Sequence, residues 1–234
     1  MRAALLIACL ATTACKAQPA PVPAKGAVFP APSRPVADIV SSRWSDEDSR
    51  DNAGESSAVM DRAGVKAGMT VADIGAGEGY YTIRLAQRVG PTGRVLAQDI
   101  IPAVRNNLAE RVGRERLDNV SVKLGTPDHP GLPDASFDRV FLVHMYHEIA
   151  SPYAFLWNLR PSLKSGGRVI VIDADRPTSQ HGTPPALLRC EFAALGFVQV
   201  DFAQMPSAGG YLTAYEARGE RPRPEAIKVC EAPR

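Results

Sequence analysis

The chain has 234 residues, 45% of them hydrophobic and 22% charged, with a formal net charge of +2. These proportions exclude a disordered or fibrous protein and leave room for one full α/β domain or two small ones. The charge is too small and too evenly spread for a nucleic-acid or membrane-surface binder, and four cysteines are too few for a disulfide scaffold.

Met1–Ala14 reads as an export signal. Arg2 is a minimal basic start, and the apolar run Ala3–Ala14 suits a signal-peptide core while being too short to span a bilayer. Thr12-Thr13-Ala14-Cys15 is similar to a bacterial lipobox, with Thr12 where Leu is usual, and marks Cys15 for lipidation. Residues 15–40 are rich in Pro and Ala, with six of the twenty prolines inside 17–36, which reads as an extended spacer with no core of its own. The expected location is the cell envelope or periplasm on a lipid anchor, and the cytoplasm if the signal is not processed. A folded domain is expected over 41–217, within which Arg43 and Trp44 belong either to a lid or to a linker, and a loosely packed tail over 218–234. Cys190 and Cys230 either pair in an oxidising compartment or, because Cys190 falls in a helical stretch, remain buried free thiols, and the thiol reading is favoured.

From residue 55 onward strand and helix patterns alternate. Helices are expected at Glu55–Val65, Tyr80–Val89, Pro102–Val112, Tyr153–Leu163 and Ala186–Leu195. Strands are expected at Met69–Ile74, Arg94–Gln98, Val120–Leu124, Asp138–His144, Arg168–Asp173, Phe197–Ala203 and Tyr211–Ala217. Strands separated by helices imply right-handed crossovers and a parallel sheet. The last two strands have no helix between them, and a short loop can join only antiparallel neighbours. The expected fold is therefore α/β and Rossmann-like: a seven-stranded, mostly parallel sheet with one antiparallel strand near its edge and helices on both faces.

The first strand runs into Asp73-Ile74-Gly75-Ala76-Gly77-Glu78-Gly79 and then a helix. Such a loop lets backbone approach a ligand closely and presents free helix N–H groups. A dinucleotide fingerprint places its third glycine three residues after the second, where this chain has Tyr80. That argues against a nicotinamide-dependent dehydrogenase, and no Gly-x-x-x-x-Gly-Lys motif is present for a nucleotide hydrolase. Asp99 ends the second strand, where an acid accepts hydrogen bonds from ribose hydroxyls. Loop and acid together point to an adenosine-type ligand.

Asp73-x-Gly75-x-Gly77-x-Gly79, Asp99, Leu132-Pro133-Asp134-Ala135-Ser136-Phe137-Asp138 and Leu163-Lys164-Ser165-Gly166-Gly167-Arg168 resemble, in that order, a class I S-adenosylmethionine-dependent methyltransferase. The likeness covers about residues 55–217, includes the final hairpin, and is nearest to small-molecule enzymes of the methyltransferase domain 11/25 type. It implies S-adenosylmethionine as cofactor, a small-molecule substrate and no metal. It also implies that Asp73, Gly75, Gly77 and Gly79 meet the methionine part, that Asp99 holds the ribose and that Ile100 lies against the adenine. After the third strand either Thr126 or Asp128 would meet the adenine amino group, with Asp128 favoured. His144 would lie beside the methyl group.

Methyl transfer from a sulfonium requires a positioned nucleophile and, for some acceptors, a base. His144 and His147 are the candidate bases, and Tyr146, Glu148 and His181 the candidate substrate contacts, all placed by the pattern at the carboxyl edge of the sheet. Tyr146 and His147 read equally well as packing residues. The spacing His144-x-x-His147-Glu148 is not that of a zinc protease, and metal binding is set aside. A non-catalytic envelope protein that uses the fold as a binding module is the alternative, because an exported chain is separated from cytosolic S-adenosylmethionine.

Overall fold

A computed structural model describes residues 27–39 and 46–231. The export signal, Cys15, Arg43 and Trp44 lie outside the described residues. Seven strands form one sheet: β1 (Thr70–Ile74), β2 (Arg94–Asp99), β3 (Val120–Leu124), β4 (Phe137–Val143), β5 (Leu163–Asp173), β6 (Phe197–Met205) and β7 (Gly210–Ala217). Their spatial order is β3-β2-β1-β4-β5-β7-β6. Only β7 runs against the others, pairing antiparallel with β5 and β6, as the short final connection requires.

The helices are α1 (Glu47–Asn52), α2 (Glu55–Arg62), α3 (Tyr80–Val89), α4 (Pro102–Arg114), α5 (Pro152–Leu159) and α6 (Pro185–Ala194). Alternate residues of each central strand bury on opposite faces. Val140 and Leu142 of β4 join Tyr146, Trp157 and Phe192 on one side, while Phe141 joins Val71, Tyr81 and Ile172 on the other. Both faces are thus covered, as a mostly parallel sheet demands.

Two boundaries differ by four residues or more from the pattern-based expectation. The helix expected to reach Leu163 stops at Leu159: Arg160 keeps helical dihedrals and its amide donates to the Leu156 carbonyl, but Pro161 has no N–H to continue the ladder. A short 3-10 turn follows, and β5 begins at Leu163, five residues before the expected start. Leu163 pairs with Phe137 and Arg168 with Arg139, so Lys164–Gly167 form an irregular bulge. A Cβ at Gly167 would lie 2.6 Å from the Phe137 carbonyl oxygen, which explains the glycine.

The expected spacer and tail also differ. Phe29 packs edge-on against Trp157, and Arg34 and Ala37 are buried. In the tail, the Arg221 guanidinium lies 3.3 Å from the centre of the Trp157 ring, and Trp157 Nε1–H donates to the Pro222 carbonyl. Cys190 and Cys230 form a disulfide rather than remaining free thiols. Because Cys190 sits on an exposed face of α6, its helical position leaves it open to Cys230 of the returning tail.

Candidate cofactor and active site

Strand order reverses direction between β1 and β4, and the loops leaving their carboxyl ends diverge there. This is where open α/β sheets bind ligands. A cavity of about 830 Å³ lies at that edge. The amides of Gly75 and Ala76 donate to the Gln98 carbonyl at 2.8 and 3.0 Å, fixing the glycine loop to the end of β2. Gly75 and Gly77 have φ of 68° and 55°, which glycine adopts without strain. A Cβ at Gly75 would come within 3.1 Å of Met145, whereas at Gly77 it would point into open space.

Asp99 is 7% exposed, and each of its carboxylate oxygens accepts one backbone hydrogen bond, from Gly77 and from Ile101. The acid thus holds the loop's shape and keeps further lone pairs for ligand hydroxyls. Ile100, Ile101 and Val104 form the adjoining apolar wall. Asp73 lines the cavity beside the loop and accepts a 2.7 Å hydrogen bond from the Thr82 hydroxyl. Burial pushes its carboxyl up to about 6, the Thr82 bond offsets part of this, and the Asp99 charge adds to it.

Gly79 and Asp128 do not line the cavity. A Cβ at Gly79 would lie 2.4 Å from Leu108 Cδ1, so this glycine serves the approach of α3 to α4 rather than a ligand contact. Thr126 and Pro127 line the cavity at the third strand's end. Asp128 instead accepts a hydrogen bond from the Thr126 hydroxyl on an exposed turn.

His144 also lines the cavity. Its φ of 50° turns the chain sharply after β4 while its amide donates to the Ile172 carbonyl. Its Nε2 lies 2.8 Å from the Ala208 carbonyl oxygen, which can only accept, so Nε2 bears the proton. Burial holds the ring's pKa below the usual histidine value, so at neutral pH it is uncharged with its lone pair on Nδ1. Glu148 lines the cavity nearby.

The other candidates are placed differently. Tyr146 is fully buried and donates to Glu191 at 2.7 Å, making it a core residue rather than a substrate contact. His147 is 1% exposed and does not line the cavity; its Nδ1 contacts both oxygens of Asp173 at 3.0 and 3.1 Å. His181 also lies off the cavity, its ring edge-on to His147 at 5.5 Å between centroids. Donor atoms of His147, Glu148 and His181 all lie within 4.8 Å of one another.

Two features escaped the sequence reading. Gln98 is 1% exposed and lines the cavity, and its buried Nε2 has no hydrogen-bond partner. The available signal was a polar side chain ending an apolar strand, beside Gly125, where a Cβ would sit 1.4 Å from that nitrogen. Helix α1 was the second. Its Glu47 and Arg50 line the cavity, and the Arg50 guanidinium lies 3.6 Å from the centre of the Tyr80 ring while pairing with Glu55.

Residues 72–171 match the family described as Methyltransferase domain. A protein named ubiquinone/menaquinone biosynthesis C-methyltransferase UbiE from Hahella chejuensis (strain KCTC 2396) is 31% identical over 126 residues, 51% of this chain and 49% of its own length. The protein of that name from Pseudomonas putida (strain KT2440 among others) is 27% identical over 73% of this chain and 62% of its own length. The chain thus spans about half to three-fifths of these curated relatives. Among solved structures, an S-adenosylmethionine-dependent methyltransferase from Aquifex aeolicus superposes with a TM-score of 0.62 at 23% identity, covering 74% of this chain and 97% of its own. The [4+2]-cyclase SpnF superposes at 0.57 and 20% identity, covering 67% of this chain and 61% of its own. Residues 72–171 thus match a methyltransferase domain, and the chain has the fold of the S-adenosylmethionine-dependent methyltransferase structure it superposes on.

Proposed function

We propose that the protein transfers a methyl group from S-adenosylmethionine to a small molecule. The observation that carries this is one cavity shared by a cofactor half and a base. Gly77, Asp99 and the unpartnered Gln98 amide line it together with His144. The residues fit the cofactor: open space at Gly77, spare acceptor capacity on Asp99, and a buried donor at Gln98 Nε2. When bound, the cofactor supplies an electrophilic methyl on a positively charged sulfonium. Asp99 and Gln98 would orient it, and the neutral Nδ1 of His144 would take a proton from an acceptor held in the cavity. The relatives' printed name directs the first acceptor pool to aromatic quinone-type precursors, with carbon as the methylated atom.

Location in the cell envelope, with Met1–Ala14 as export signal and Cys15 as lipid anchor, belongs to the same reading. The Cys190–Cys230 disulfide supports an oxidising compartment. The disulfide also favours the second reading, a binding module without methyl transfer, and SpnF shows that this fold extends beyond proteins named methyltransferases. Isothermal titration of S-adenosylmethionine into wild type and Asp99→Ala is the first measurement. Binding that is lost in the variant supports the cofactor role, and absence of binding by folded wild type sinks it. Radiolabelled methyl transfer to an envelope extract separates enzyme from binding module, and mass of the mature N-terminus tests processing at Cys15.

A further inference from the structure

The geometry points to a binding site for a divalent transition-metal ion of the zinc class, formed by His147, Glu148 and His181 and oriented by Asp173. Local spacing along the chain offers no reason for one, because His181 arrives from a different loop, after β5. The three side chains already bring donor atoms within 4.8 Å of one another. A tetrahedral ion with bonds of about 2.0–2.1 Å places its ligands about 3.4 Å apart, so modest rotation of the half-buried Glu148 and His181 completes the set.

The stronger observation concerns the unpaired nitrogens. His147 Nε2 is buried and has no hydrogen-bond partner, and neither has His181 Nδ1. Buried polar atoms are rarely left so, and an orphan calls for a missing partner. On the far side of the His147 ring, Asp173 is fully engaged. It also accepts from the Thr183 hydroxyl at 2.7 Å and from the Ala174 amide at 2.8 Å. A carboxylate held this way keeps the proton on His147 Nδ1 and turns the lone pair of Nε2 toward the gap. That is the outer-shell arrangement that orients metal-bound imidazoles.

Two imidazoles and one carboxylate suit zinc, cobalt, nickel or ferrous ions. Magnesium and calcium prefer all-oxygen sites. Three protein ligands leave a fourth position for water or substrate. Because Glu148 also lines the large cavity, the ion would sit at its wall. Polarisation of an acceptor oxygen there rests on the methyl-transfer reading; binding of the ion does not.

The test is Zn²⁺ titration of chelator-stripped protein against a chromophoric chelator, with Co²⁺ substitution to read the coordination geometry by absorption. One equivalent and a four- or five-coordinate cobalt spectrum are expected. His181→Asn tolerates the left-handed backbone at φ 56° and should weaken binding at least about 100-fold, and Asp173→Asn about 10–100-fold. His129→Asn, on the exposed turn after β3, should change nothing. Thermal melts establish that each variant is folded. No stoichiometric binding by folded wild type, or unchanged affinity in His181→Asn, overturns the proposal. S-adenosylmethionine calorimetry on the same samples reads the cofactor site separately, so failure of one leaves the other standing.

Discussion

Asp73 is 2% exposed, and its nearest hydrogen-bonding partner is a neutral hydroxyl. With a pKa near 6 in the native state against an ordinary 3.8, the folded chain holds this proton more tightly than the unfolded one. The carboxyl's contribution to stability is therefore complete below pH 3.8 and is lost as pH rises through 6. At about 1.4 kcal/mol per unit, that loss is about 3 kcal/mol by pH 7. Asp73→Asn keeps an acceptor for Thr82 but cannot ionise. Its melting temperature should exceed wild type by a margin that grows from pH 4 to pH 7, while its affinity for the cationic cofactor falls. A margin independent of pH would refute this assignment. Gly125 makes a second residue-scale case. Adding a methyl there displaces the buried Gln98 amide, so Gly125→Ala should cost about 1–3 kcal/mol and weaken cofactor binding, read by denaturant unfolding and calorimetry.

Among elements, β1, the glycine loop, α3 and the final hairpin were legible because each carries its own signal. Apolar runs end in glycine, an acid ends β2, and a helix-free connection forces β7 to reverse. Helix α1 was not legible. Its sequence, Glu47-Asp48-Ser49-Arg50-Asp51-Asn52, has no apolar period and buries no residue. Its position comes from partners distant in sequence: Glu47 pairs with Arg84 and Arg111, and Asp51 pairs with Arg84. The cluster His147–Glu148–His181 was hidden for the same reason, since its members lie up to 34 positions apart and meet only through β4, β5 and the loop after β5. A cavity-lining helix held by partly exposed ion pairs should be salt-sensitive. Such pairs contribute about 0–1 kcal/mol each, and the Debye length falls to about 3 Å at 1 M salt. Cofactor dissociation measured by stopped flow should therefore quicken with salt. Glu47→Ala should show a faster rate at low salt and a weaker salt dependence, with little change in melting temperature. A salt response undiminished in Glu47→Ala would place the hold on α1 elsewhere.

At the scale of the whole molecule, α6 fastens both ends of the described chain to one face. Cys190 bridges to the tail, and the next residue, Glu191, pairs with Arg34 at 2.9 Å with both side chains fully buried. Arg34 also donates to the carbonyls of Tyr146 and Ile149 at 3.4–3.5 Å, and the Ala37 amide donates to that of His147. A Pro- and Ala-rich composition predicts a spacer because it contains too little apolar surface for a core. One buried guanidinium 157 positions from its partner overrides that, and no local pattern announces it. The two attachments should separate experimentally. The disulfide closes a 40-residue separation, for which loop entropy gives about 4 kcal/mol. Cys190→Ser with Cys230→Ser should lower unfolding free energy by about that amount and leave cofactor affinity unchanged, because no described residue of the tail lines the cavity. Arg34→Ala strands Glu191 in the core, at about 3–5 kcal/mol. It also frees the segment whose Ile39 lines the cavity, so stability and cofactor affinity should fall together. Paired urea melts and calorimetry on the two variants decide the matter: if cofactor affinity falls in the disulfide variant, or survives intact in Arg34→Ala, the strap does not shape the site.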